Sequence, residues 1–268
     1  MARRGGIEHG KEFELDGGPD AVLLLHGLTG STFELAPVAA RLADAGMRCL
    51  APVMAGHGGT AAELARAPWQ EWVAKARRDL ARLEGARRTF LVGCSMGALV
   101  GCVLARERPD RVDGLALLAP ALELNAAGRL GALLGRAPFL RRIVLRKRAG
   151  SDVNDLEMRR RNPCLDAVPL SAVGELSRLE AHVDRLLPSI AAPAIVVMGR
   201  EDHTVTVAGA RRLARRIGSG PAAFVLLERS AHLVGIDVER DRCAEAVAGF
   251  VAALPLPGGR RAPAGRSG

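Results

Sequence analysis

The chain has no tyrosine, only two tryptophans and six phenylalanines in 268 residues. Without tyrosine, no phenol can serve as acid, base or hydrogen-bond donor in an active site. Aromatics are 3% of the chain while 49% is hydrophobic, so the core must rest on Ala, Leu and Val. Scarce aromatics also leave little on which nucleic-acid bases could stack. Acidic residues are in deficit, 29 against 38 basic ones, for a net charge of +9. That excess is scattered over Arg3-Arg4, Arg141 to Arg148, Arg159 to Arg161, Arg260-Arg261 and Arg266, and no nucleic-acid motif accompanies it. A nucleic-acid partner is therefore not expected.

Metal-binding patterns are missing too. Five cysteines make an odd count, with no CxxC pair and no His/Cys cluster, so neither zinc nor another metal is expected. Cys49, Cys94 and Cys102 fall in apolar segments and read as small buried hydrophobes of a reducing compartment. No apolar run reaches membrane-spanning length, and none follows Arg3-Arg4 as a signal peptide would require. The expectation is a cytoplasmic protein without stable membrane insertion.

What is present is an alternation of strand-like and helix-like segments. Strands are expected at 21–26, 48–52, 88–93, 112–118, 194–198 and 222–227. Helices are expected at 33–45, 69–84, 96–108, 207–217 and 237–254. Such alternation argues for a mostly parallel sheet with helices on both faces. Residues 1–120 and 191–254 then form one α/β core. The rhythm breaks over 121–190, which has no strand-like run and reads as a small helical cap (lid) inserted after the strand that follows the helix at 96–108. The tail, 255–268, is rich in Pro, Gly and Arg and reads as disordered.

One pentapeptide carries the chemistry. Gly93-Cys94-Ser95-Met96-Gly97 is a G-x-S-x-G between a short β-prone apolar run and a helix apolar on all sides. At a strand-to-helix corner this pattern is a nucleophile elbow: the turn is tight, and glycine has no Cβ to clash at the flanking positions. A serine hydroxyl needs a base and a group that orients the base. His232, in Ser230-Ala231-His232 after the last expected strand, is the candidate base. Asp202, in Gly199-Arg200-Glu201-Asp202 after the strand at 194–198, is the candidate acid. Glu201 and Glu123 are alternatives to it. The order Ser95, Asp202, His232 is the order this architecture uses. Two backbone amides should meet the oxyanion, those of Met96 and of Leu28 in the glycine-flanked loop His26 to Gly30. His26 itself reads as a structural histidine bonding loop backbone. Pro52 to Gly59 reads as a tight turn near the site, not a phosphate loop.

These motifs, His26-Gly27-Leu28-Thr29-Gly30, Gly56-His57-Gly58, Gly93 to Gly97, Gly199 to Asp202 and Ser230-Ala231-His232, together resemble the bacterial carboxylesterase and monoacylglycerol lipase group of α/β-hydrolases. The resemblance runs from about Val22 to Leu254. It implies a Ser95–Asp202–His232 triad, oxyanion amides at Leu28 and Met96, no cofactor, and a small-molecule substrate: a short- to medium-chain carboxylic ester or a monoacylglycerol. A thioesterase, acyltransferase or C–C bond hydrolase could use the same triad, and a non-catalytic binding module could use the same scaffold. The cap residues Leu130, Leu133, Leu134, Phe139, Leu140, Ile143 and Val144 could form an acyl pocket or pack the cap onto the body. The basic stretch 141–148 reads as a solvated helix face, with an anionic interface or acidic substrate as the other possibility.

Overall fold

The computed structural model describes residues 10–137, 139–147 and 150–256. Arg3-Arg4, Arg148 and all of the 255–268 tail except Pro255 and Leu256 lie outside the described residues. Seven strands form the main sheet: β1 (Phe13–Leu15), β2 (Ala21–Leu25), β3 (Arg48–Ala51), β4 (Thr89–Cys94), β5 (Gly114–Leu118), β8 (Ala194–Gly199) and β9 (Ala223–Leu227). Their order is β1-β3-β2-β4-β5-β8-β9, and every pairing is parallel except β1 with β3. The helices are α1 (Ala36–Asp44), α2 (Ala61–Arg66), α3 (Trp69–Ala81), α4 (Met96–Glu107), α5 (Ala126–Arg136), α6 (Leu156–Arg161), α7 (Leu170–Leu186), α8 (Val207–Arg216) and α9 (Arg240–Ala253).

Strand side chains alternate between faces, so each strand feeds two cores. Leu23, Leu25, Leu91, Leu115, Leu117, Val196 and Met198 join Trp72 of α3, Leu99 of α4, Leu176 of α7 and Leu213 of α8 on one side. Val22, Leu24, Phe90, Val92, Leu118, Ile195 and Val197 join Val38 and Leu42 of α1 and Val247 and Val251 of α9 on the other. The expected two-faced arrangement is what forms. Helix α4 is buried from Met96 through Ala105, as an all-apolar helix must be.

Register positions the chemistry. Leu25 of β2 pairs with Gly93, Cys94 of β4 with Leu118, Leu118 with Val197, and Gly199 of β8 with Leu227 of β9. The carboxyl ends of five parallel strands therefore finish along one edge. In open α/β sheets that edge is where ligands bind.

Between β5 and β8 the chain departs from the sheet. Helix α5 lies on α7, and α7 lies on α4. This segment is not purely helical. Val144–Arg146 (β6) and Ala167–Pro169 (β7) form a two-stranded antiparallel ribbon, with Leu145 opposite Val168. Two three-residue strands are too short to set up a periodicity. All three residues of β6 are exposed, so no buried face marks them in the sequence. The same shortness hides β1, an edge strand.

Candidate active site

Ser95 occupies the corner between β4 and α4 with φ 54° and ψ −112°, a backbone conformation rare outside glycine. Its amide donates to Leu118 O at 2.8 Å, which ties the corner to β5. The flanking glycines are explained by backbone approach. A Cβ on Gly97 would lie 2.0 Å from Leu25 O, and one on Gly93 would lie 2.4 Å from Ala98 N. Ser95 is nearly buried and opens on a cavity of about 330 Å³.

His232 lines the same cavity. It sits five residues beyond β9, in a loop held from below by two buried acids. Asp237 Oδ2 accepts the Ala231 amide at 2.6 Å, and Glu239 Oε2 accepts the Ser230 hydroxyl at 2.9 Å. Neither was picked out in the sequence, where Asp237 reads as the start of the last helix; that helix begins at Arg240. Gly199 completes the placement, because a Cβ there would lie 2.1 Å from Ala231 O. The end of β8 and the histidine loop can thus touch.

Across that contact, His232 Nδ1 and Asp202 Oδ2 are 2.8 Å apart, with the Asp202 side chain fully buried. The other Asp202 oxygen accepts the Thr204 and Val205 amides, both at 2.8 Å, so the carboxylate cannot swing away. The alternatives face elsewhere. Glu201 accepts from Asn154 Nδ2, and Glu123 accepts from the Thr206 hydroxyl. Burial alone would lower the His232 pKa. The charge and hydrogen bond of Asp202, helped by the charge of Asp152, win and raise it above the usual value.

The loop after β2 has a single spare donor. The Gly27 amide donates to Glu34 Oε2 at 3.2 Å, Thr29 to His57 Nε2 at 3.1 Å, and Gly30 to Gly27 O at 3.1 Å. Among the described residues, only the Leu28 amide of this run lacks an internal acceptor. Leu28 lines the cavity beside Ser95. Met96 opens α4, and first-turn amides have no acceptor within a helix. The Leu28 and Met96 amides named from the sequence are thus both without an acceptor inside their own segments.

Two histidines brace this loop. His26 Nε2 accepts the Met54 amide at 3.0 Å, and His57 accepts the Thr29 amide. The segment 52–59 therefore backs the loop from behind and does not itself line the cavity. Burial pushes His26 down to about 3 and His57 to about 4, so both stay neutral and can accept. Glu34 is a third support that the sequence did not reveal. Burial raises its carboxyl pKa against the pull of the Gly27 amide and of Lys147.

Much of the remaining cavity wall comes from the segment between β5 and β8, with His203, Thr204 and Leu233 completing it. Leu124, Val168, Val173 and Leu176 are apolar, whereas Asn125, Lys147 and Asp152 are polar. Lys147 Nζ donates to the Thr29 hydroxyl, linking this segment to the loop of Leu28. Asp152 is held by the His203 amide and the Thr204 hydroxyl. None of Leu130, Leu133, Leu134, Phe139, Leu140, Ile143 and Val144 lines this cavity, and all but Leu140 are exposed. On α5 it is the small residues Ala132 and Gly135 that are buried, while Leu130, Leu133 and Leu134 face outward.

Known proteins are similar to this chain. The sequence is 29% identical over 232 residues to a thermostable monoacylglycerol lipase of Bacillus sp. (strain H-257), covering 85% of this chain and 88% of that protein. It is 25% identical over 233 residues to a carboxylesterase of Bacillus subtilis (strain 168), covering 86% and 92%. A structure from work on LipS and LipT, two metagenome-derived lipolytic enzymes, superposes with a TM-score of 0.81 at 27% identity, covering 91% of this chain and 98% of that one. The monoacylglycerol lipase of Paleococcus ferrophilus superposes at 0.74 with 18% identity over the same shares, a likeness of fold. The sequence pattern of the serine aminopeptidase S33 family matches residues 19–239. The chain belongs to that family of serine hydrolases and has its α/β-hydrolase fold.

Proposed function

We propose that this protein hydrolyses carboxylic esters, short- to medium-chain acyl esters or monoacylglycerols, through an acyl-serine intermediate on Ser95. The observation that carries the reading is convergence on one cavity. A serine on a positive-φ elbow, an imidazole whose Nδ1 is 2.8 Å from a buried carboxylate, and a loop with one free amide all meet there.

Each residue has a role. His232 Nδ1–H donates to Asp202, which leaves Nε2 as the base. Nε2 takes the Ser95 proton as Oγ attacks the ester carbonyl. The carbonyl electrons move to oxygen, where the Leu28 and Met96 amides stabilise the charge. Collapse expels the alcohol, which takes its proton from the imidazolium. Water then attacks the acyl-serine by the same route, releasing the acid and restoring Ser95. Asp202 fixes the imidazole's orientation and offsets its transient charge. No step calls for a cofactor. Residues 121–190 act as a cap, since Leu124, Val168, Val173 and Leu176 line the wall where an acyl chain would lie. A cytoplasmic setting fits the five free cysteines, four of them buried.

The test is a panel of p-nitrophenyl esters graded by acyl length, with monoacylglycerol, acyl-thioester and aminoacyl p-nitroanilide arms. Wild type is expected to prefer oxygen esters. Ser95→Ala is expected to remain folded, lose nearly all turnover and stop reacting with a fluorophosphonate. A folded Ser95→Ala that still cleaved the esters would overturn the assignment.

A further inference from the structure

A second cavity, of about 360 Å³, lies outside the Ser95 site and is lined from α5, α7 and α8. Its size falls within the range of small-molecule sites, about 300–1,000 Å³. Helices α5 and α7 meet backbone to backbone, since a Cβ on Gly174 would lie 2.8 Å from Gly135 O. Past that contact, Ser177, Glu180 and Asp184 share one face of α7 and line the cavity. Arg129, Ala132 and Arg136 share one face of α5 opposite them, and α8 adds Arg212. Buried Leu122 and Leu124 give the cavity an apolar wall. Leu124 also lines the Ser95 cavity, so one side chain separates the two.

The charges of this cavity are not spent on one another. Arg129 donates to Leu124 O and Arg136 to the Ser177 hydroxyl, both at 3.0 Å, and neither has a carboxylate partner among the described residues. Arg212 Nη2 is 3.5 Å from Asp184 Oδ1, an oxygen that Arg216 already holds at 2.6 Å, and Arg212 Nε is buried without an acceptor. Half-buried Glu180 makes no hydrogen bond or ion pair among the described residues, although three arginines line the same cavity. A gap thus stands between groups that would otherwise neutralise one another. Guanidinium donors match the two oxygens of a carboxylate. Burial lifts the Glu180 carboxyl to about 7 against the pull of Arg212 and Arg136, with the charges of Glu123 and Asp184 adding to the rise. Near neutral pH it therefore carries a proton about half the time and can donate to an anion in the gap.

We propose that this second cavity binds a short-chain aliphatic carboxylate, its head held by Arg129, Arg136 and Arg212 and its tail laid against Leu122, Leu124 and Ala132. Protonated Glu180 donates a hydrogen bond to the bound anion, and ionised Glu180 repels it. A bare phosphate would leave the apolar wall uncovered, and a neutral alcohol would leave the guanidiniums without a counter-charge. Such an acid is the class of product that ester hydrolysis releases, and only that link rests on the ester-hydrolase reading.

Isothermal titration calorimetry with sodium hexanoate tests the site, with hexanol and sodium phosphate as comparison ligands. Wild type is expected to bind hexanoate saturably at pH 6 and neither comparison ligand. If only the protein with protonated Glu180 binds, affinity should fall about tenfold from pH 6 to pH 8. Glu180→Gln should bind equally at both pH values. Arg136→Ala/Arg212→Ala should weaken binding about tenfold or more while keeping a cooperative urea transition, which certifies the fold. Absence of wild-type binding overturns the proposal. So does hexanoate binding that the arginine pair leaves unmoved, because the ligand would then sit in the Ser95 cavity. Phosphate binding as tight as that of hexanoate overturns the carboxylate assignment. Absence of ester turnover by wild type, with hexanoate binding intact, would fault the hydrolase reading and leave this site standing.

Discussion

Gly97→Ala adds one methyl group and removes no catalytic atom. A Cβ at this position would sit 2.0 Å from Leu25 O, 2.5 Å from Leu25 C and 2.8 Å from His26 O. All three are backbone atoms, so no rotamer relieves the clash. Real Cβ contacts stay beyond about 3.0 Å, so the first turn of α4 must retreat from the end of β2 by about 1 Å. Those two pieces of chain carry the two amides proposed for the oxyanion hole, Met96 on α4 and Leu28 beyond β2. The substitution therefore widens the oxyanion hole. A misplacement of this size costs roughly 10²-fold in rate, and full loss of one donor about 10²- to 10³-fold. The expected fall in kcat/KM is about 10²- to 10³-fold. Overpacking should cost about 1–3 kcal/mol of stability, offset in part by the better helix propensity of alanine. Gly249→Ala in α9 is the control, since its Cβ would meet nothing within 4 Å and it should be neutral or slightly stabilising. The assay pairs urea unfolding with initial rates on a p-nitrophenyl ester. A folded Gly97→Ala with wild-type kcat/KM would refute the link between this backbone approach and the oxyanion geometry.

Two further predictions concern groups behind the reacting atoms. The proposed mechanism requires neutral His232, whose pKa is raised, so the acid limb of the wild-type pH–kcat/KM profile should lie above pH 6.5. Asp202→Asn should lower kcat by roughly 10³- to 10⁴-fold and move that limb to lower pH, because the carboxylate that raises the pKa is gone; an unmoved limb would count against the pairing. Glu34→Gln should retain an acceptor for the Gly27 amide and keep near-wild-type activity, whereas Glu34→Ala should cost about 1–3 kcal/mol by orphaning that buried donor. Equal urea midpoints for the two Glu34 variants would contradict this role.

The elbow could be read from sequence because its demand is local: two backbone approaches exclude Cβ atoms two residues either side of Ser95, and only glycine meets that. The sheet could be read because its strands are long enough to show apolar runs and its helices close on Gly or Pro. The site's supports are another matter. Ser31-x-x-Glu34 has the form of a capping box, yet Ser31 makes no side-chain cap and Glu34 turns to Gly27 instead. The direction a carboxyl takes there depends on β2's loop, packed against it in space. Asp237 likewise binds Ala231, Asn154 and Asp155, residues up to 83 positions away, and nothing in its neighbours announces this. Residues 141–147 failed differently. Their arginines suggest a helix face, while pairing with the distant 167–169 makes part of them a strand.

The neutral pair His26 and His57 gives the fold a sensitivity to acid that its surface charges do not suggest. In the unfolded chain both imidazoles take up protons near pH 6.5, whereas in the folded chain they resist until about pH 3 and about pH 4. A depressed histidine pKa means that the unfolded state binds more protons across this window, so stability falls as pH drops through it. Between about pH 6 and pH 4 each histidine removes up to about 1.4 kcal/mol per pH unit. Mild acid thereby acts on the fold through the loops that hold the Leu28 amide.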